Sequence, residues 1–160
     1  MNRRWSLFLL GMPTALVSWL VVLAVRGIFG GSLRWEDGRV LTLMLPQGTR
    51  VMRYLGITLG YGVVYAPGRR SPPYLPWSET QRHEHVHVKQ FEGWATAGAL
   101  TAIVVAGLTG SAFASLVVWA LAPAVAWCGY TVAAWLRGGH PYWDAAHEEA
   151  ARAIAGAEAR

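Results

Sequence analysis

From Trp94 to Leu136 the chain runs for 43 residues without one Asp, Glu, Lys or Arg. Few folds can hold such a run, because a water-facing surface needs charge and a membrane span needs only about 20 apolar residues. Thr109-Gly110-Ser111 punctuates it, so the simplest reading is an apolar helical hairpin that crosses a bilayer twice. The first arm, roughly 93 to 108, is short for a full span; a tilted interfacial helix or a re-entrant one fits as well. The second arm, about 112 to 136, is long enough and contains Pro123, which predicts a kink. Small residues recur four apart at Ala95 and Ala99, then at Gly98, Ala102, Ala106 and Gly110. That spacing favours close helix packing in lipid. The alternative is a buried hairpin in a soluble domain. Composition argues against it: only 14% of residues are charged, where soluble domains carry about 25%, and mean hydropathy is +0.29.

Trp5 to Phe29 is a second apolar run, interrupted only by Arg26. The basic start Met-Asn-Arg-Arg resembles the front of a signal peptide. The run is too long for that, and no A-x-A site follows, so it reads as a retained membrane helix. Trp5, Trp94, Trp135 and Trp143 fall near the ends of these runs, as an interfacial aromatic belt requires. The single cysteine, Cys128, can form no intrachain disulfide and reads as a small apolar residue.

The net charge of +5 raises the question of nucleic acid. Basic residues are scattered singly through 34 to 89, with no dense cluster beyond Arg69-Arg70, so a partner of anionic lipid explains them more simply.

Residues 30 to 93 are the only sizeable polar part. Arg39 to Leu45 reads as a short strand and Pro46-Gln47-Gly48 as a turn. Thr49 to Leu55 has helix-like spacing. "GITLGYGVVYAPG", 56 to 68, is β-branched and punctuated by glycine, so it reads as one strand or a tight hairpin. The prolines of "PGRRSPPYLPW", 67 to 77, predict a loop.

"QRHEHVHVKQF", 81 to 91, places three of the five histidines within five positions. As a strand it would put His83, His85 and His87 on one face. As a helix it pairs His83 with His87 one turn apart and turns His85 away. Ser78 with Gln81 forms a capping box, and no turn signal follows Val88, so a helix starting at Glu79 and running into the apolar arm is the favoured reading. Two imidazoles at i and i+4 can hold one Zn²⁺, and a glutamate after the first histidine can take a proton from zinc-bound water. That makes Glu84 the candidate catalytic base and His83 and His87 the candidate metal ligands. Gln90 could brace a ligand or the tail. His85, Lys89 and Glu92 read as solvated, and Tyr61, Tyr65 and Tyr74 are undistinguished candidates for an oxyanion donor.

The stretch "RHEHVHVKQF" resembles the zincin metallopeptidases. It is especially similar to small bacterial proteins with HE-x-x-HV-x-Q after a strand-like "TLG…VV" segment, here "TLGYGVV" at 58 to 64. The resemblance covers 57 to 93 and a short stretch of the tail. It implies that the strand region 57 to 65 lies along a peptide substrate and that a later helix supplies a third ligand. "HPYWDAAHEEAARA", 140 to 153, offers Glu148, by similarity of pattern. Glu149 is the close second, and His147 or His140 would be departures. Asp144 is the expected cap of that helix.

These readings give a mainly α membrane protein. Residues 1–29 form a transmembrane helix, 30–93 a small α/β zincin-like segment with a short sheet and the HExxH helix, 94–136 a transmembrane hairpin, and 137–160 a helix supplying the third ligand. The resemblance implies a membrane-bound, zinc-dependent peptidase of a bacterial inner membrane, acting on a peptide or protein near the bilayer surface. The alternative is a metal-binding sensor or degenerate peptidase without hydrolysis. A transporter is disfavoured, since no charged group occurs from Ala95 to Leu136. Twelve of the 14 Lys and Arg fall in 26 to 93 or the tail, which favours a cytoplasmic site; the basic start argues the reverse.

Overall fold

The computed structural model describes residues 11–46, 49, 56–66, 77–141 and 144–157. In order they form α1 (Met12–Phe29), β1 (Ser32–Glu36), β2 (Val40–Met44), β3 (Gly56–Leu59), β4 (Gly62–Tyr65), α2 (Trp77–Thr109), α3 (Ala112–Leu136) and α4 (Ala146–Ala157). Most of the described chain is helical. α1, α2 and α3 are each long and apolar enough to cross a membrane.

Nothing in the sequence breaks the helix between Trp77 and Thr109, so α2 is one rod of 33 residues, about 50 Å at 1.5 Å per residue. The short first arm expected from about 93 is therefore the second half of the helix that carries the HExxH motif, as a helix running into the apolar arm requires. The helix also begins before the expected Glu79, which puts Ser78 inside it and not at its cap. Gly110 takes a positive φ of 66° and ends α2, as the Thr-Gly-Ser break predicts. Ser111 then caps α3, its Oγ accepting from Ala114 N at 3.2 Å. Pro123 lies within α3, and the helix continues through it. The small-residue spacing has its expected use at Gly98, where a Cβ would come within 2.5 Å of Ala122 Cβ.

The sheet order is β1-β2-β4-β3. β1 and β2 form an antiparallel hairpin, β2 and β4 run parallel, and β3 and β4 form a second antiparallel hairpin. "GITLGYGVVY" is thus a hairpin, turning at Gly60 with φ 65°. β1 has no counterpart among the expected strands. Its signal was Asp37-Gly38, both at positive φ, the dipeptide a tight hairpin turn favours. Thr49 N donates to Pro46 O at 3.2 Å across the expected turn, whose Gln47 and Gly48 lie outside the described residues. Residues 50–55, the proline-rich 67–76, Tyr74, Trp5 and Trp143 lie outside the described residues.

All four residues of β4 are buried, because helices cover the sheet from two sides. Val22 of α1 packs with Leu41, Leu43 and Val64; Val88 of α2 joins Ala15, Val40, Tyr61, Val63 and Tyr65. α1 therefore buries one stripe, Ala15, Ser18 and Val22, against the sheet, while Leu16, Val17, Leu20 and Leu23 stay exposed. That outer face is what an apolar phase would cover.

Candidate metal centre

On α2, His83 and His87 share a face with their Nε2 atoms 3.1 Å apart. α4 brings Glu148 to them: Oε2 lies 3.2 Å from His83 Nε2 and Oε1 lies 3.3 Å from His87 Nε2. All three side chains are buried. Four-coordinate zinc with bonds of 2.0–2.1 Å separates its ligand atoms by about 3.3 Å, so these residues fit a metal ion. Two imidazoles and a carboxylate suit several first-row divalent ions. The hairpin of α2 and α3 makes the meeting possible, since α3 runs back along α2 and returns the tail to the end of α2 that carries His83 and His87.

Helical phase decides the other histidines. His85 points away, its Nε2 2.9 Å from Glu36 Oε2 and its Nδ1 2.9 Å from Gln81 O. Glu149, about 100° further round α4 than buried Glu148, is exposed, and His140 is also exposed. Asp144 does not cap α4; its Oδ2 accepts from His140 N at 2.7 Å and closes the loop before the helix.

His147 is buried beside Glu148 but outside the ligand group. Trp127 Nε1 donates to its Nε2 at 2.6 Å. Burial lowers the pKa of His147, against the opposing pull of the Glu148 charge. Burial alone would raise the Glu148 carboxyl, but hydrogen bonds from His83 and His87, with their charge, hold it at about 2.

Gln90 touches both His87 and the tail. Its Oε1 accepts from His87 Nδ1 at 2.8 Å, and its Nε2 donates to the His147 carbonyl at 2.9 Å. With Nδ1 engaged in the first bond, His87 turns Nε2 to Glu148, donating to it when protonated and free to offer a lone pair to a metal when neutral. The second ties α4 to α2.

Glu84 is 4% exposed and within electrostatic reach of His83, His87 and Glu148. Its Oε2 accepts from Thr58 Oγ1 at 2.7 Å. Gly56 has no side chain for the same reason: a Cβ there would meet Glu84 Cγ at 2.9 Å. Both residues sit on β3, the edge strand beside α2.

Thr58 and Trp127 escaped the sequence reading. Glu92, expected to be solvated, is buried and paired with Arg39. Lys89 is exposed as expected. Tyr61 and Tyr65 are fully buried in the sheet; burial pushes the Tyr61 hydroxyl up to about 12 and raises Tyr65 further, with the Glu84 and Glu36 charges adding to it.

No family model, curated protein or solved structure matches this chain. Fold and site together define a mostly helical protein with three helices able to cross a membrane and a buried His-His-Glu group able to hold a metal ion.

Proposed function

We propose that the chain is a membrane-bound, zinc-dependent metallopeptidase of the zincin type, cleaving peptide bonds near the bilayer surface. The observation that carries this reading is Glu84. Holding a metal needs only His83, His87 and Glu148; a second buried carboxylate beside them, anchored by Thr58, has a use only if a proton is to be moved. A zinc ion held by the three ligands would supply Lewis acidity, polarising a carbonyl and making water nucleophilic near neutral pH. Glu84 accepts the proton of the attacking water and passes it to the departing amine. Gln90 and Thr58 keep the donors in place, and the apolar hairpin confines the reaction to the membrane border. The count of basic residues favours the cytoplasmic face, against the basic start of the chain, and the resemblance to small bacterial proteins favours an inner membrane.

The test is metal content of the detergent-purified protein, followed by Glu84→Gln assayed on a fluorescence-quenched peptide library in proteoliposomes. About one zinc per chain, lost in His83→Ala and in Glu148→Ala, is expected. Glu84→Gln keeps the metal and abolishes cleavage. A wild type that takes up no metal after incubation with zinc sinks the reading. The second reading, a metal-binding sensor without hydrolysis, is favoured by one observation: His83, Glu84, His87 and Glu148 are all less than 10% exposed. Zinc bound with no cleavage of any peptide would select it.

A further inference from the structure

The tail places two metal-binding side chains side by side, His147 and Glu148, and both are buried next to His83 and His87. His147 Nε2 stands 3.7 Å from Glu148 Oε1, so little movement separates it from the ligand group. An imidazole is an ordinary zinc ligand, and its exclusion needs a cause.

The cause lies on the membrane hairpin. An indole N–H is a donor and never an acceptor. Trp127 Nε1 at 2.6 Å therefore occupies the Nε2 lone pair of His147, the electrons a metal would need. The neutral ring then carries its proton on Nδ1, which is buried without a hydrogen-bond partner among the described residues. Trp94 and Tyr130 pack on the same imidazole, with ring centroids 6.1 and 5.8 Å away, and hold its orientation.

We propose that Trp127 is a positioning residue that sets the composition of the metal centre: by capping His147 Nε2 it withholds that imidazole and leaves Glu148 as the third ligand. This rests on the reading of His83, His87 and Glu148 as a metal site. It makes the ligand set depend on the packing of α3 against α4, so a membrane helix selects the donors of a site that it does not itself enter. A carboxylate in third place also leaves the centre one positive charge lower than three neutral imidazoles would.

The experiment loads the full-length, detergent-solubilised protein with Co²⁺ and counts imidazole ligands by X-ray absorption, alongside the visible ligand-field spectrum. Wild type is expected to show two imidazoles. Trp127→Phe keeps an aromatic ring but loses the N–H, and is expected to show three, with a changed spectrum. An unchanged donor set in Trp127→Phe overturns the proposal, whatever happens to affinity. Wild type that binds no cobalt or zinc would instead remove the metal reading itself. Should Trp127→Phe fail to fold, the ¹⁵N tautomer of His147 in the wild type decides. A proton on Nδ1 with Nε2 bare is the expected state, and a proton on Nε2 overturns it.

Discussion

Thr58 Oγ1 donates to Glu84 Oε2 at 2.7 Å, fixing the one carboxylate in the site that is not placed to hold a metal. The bond joins an edge strand to the HExxH helix across 26 positions of sequence. If Glu84 moves protons, its carboxylate must stay aimed. Thr58→Val is expected to slow peptide cleavage about tenfold, since a hydrogen bond to a charged group is worth roughly 1.5–3 kcal/mol. Metal content should not change, and Thr58→Ser should restore the rate. Loss of metal in Thr58→Val would show that the bond serves the ligands instead.

Gln90 links His87 to the backbone of α4. Gln90→Ala is expected to weaken zinc binding about 10- to 100-fold, the usual cost of removing a group that orients a ligand. Competition against a chromophoric chelator measures it. Gln90→Glu keeps the acceptor for His87 and loses the donor to His147 O, so it should fall between wild type and alanine.

Arg39 and Glu92 are paired and each about 10% exposed at the side chain. Removing one partner leaves the other charge buried. Glu92→Leu is expected to cost about 3–5 kcal/mol, a fall in thermal midpoint of roughly 10 °C. A double Arg39→Met, Glu92→Leu variant should recover most of it. Equal midpoints in wild type and Glu92→Leu would count against the buried pair.

The metal-free protein should lose stability in acid through Glu148. Its carboxyl goes from an ordinary 4.5 to about 2 on folding. A pKa lowered by folding contributes stability above the unfolded value, and that stability drains as pH falls from 4.5 towards 2. Thermal unfolding of the chelator-treated protein across that interval measures it. Glu148→Gln should flatten this part of the profile; a wild type equally stable at both ends would remove the ion pairing with His83 and His87.

Much of the site was legible because helical phase is a local property. His83 and His87 must share a face once the segment is helical, and His85 must leave it, whatever surrounds them. The uncharged run from Trp94 to Leu136 and its break at Gly110 likewise announce a hairpin without tertiary information. Glu92 was misread for the converse reason. Its neighbours in sequence are polar, while its burial depends on Arg39, 53 positions away. β1 was missed because Arg34 and Glu36 spoil its apolar pattern, and only the Asp37-Gly38 turn marks it.

The sequence by itself determined the periodicities: three apolar helices, a short sheet, and two imidazoles one turn apart. Tertiary structure decided which donors meet. Glu148 and Glu149 are adjacent in sequence and only a resemblance of pattern favours the first, while the imidazole of His147 is also an ordinary zinc ligand. Only the packing of α4 against α2 buries one glutamate beside the histidines and turns the other outward. Only the approach of Trp127 from α3 takes the His147 lone pair. Such choices depend on directions and distances between helices, which a linear pattern does not encode.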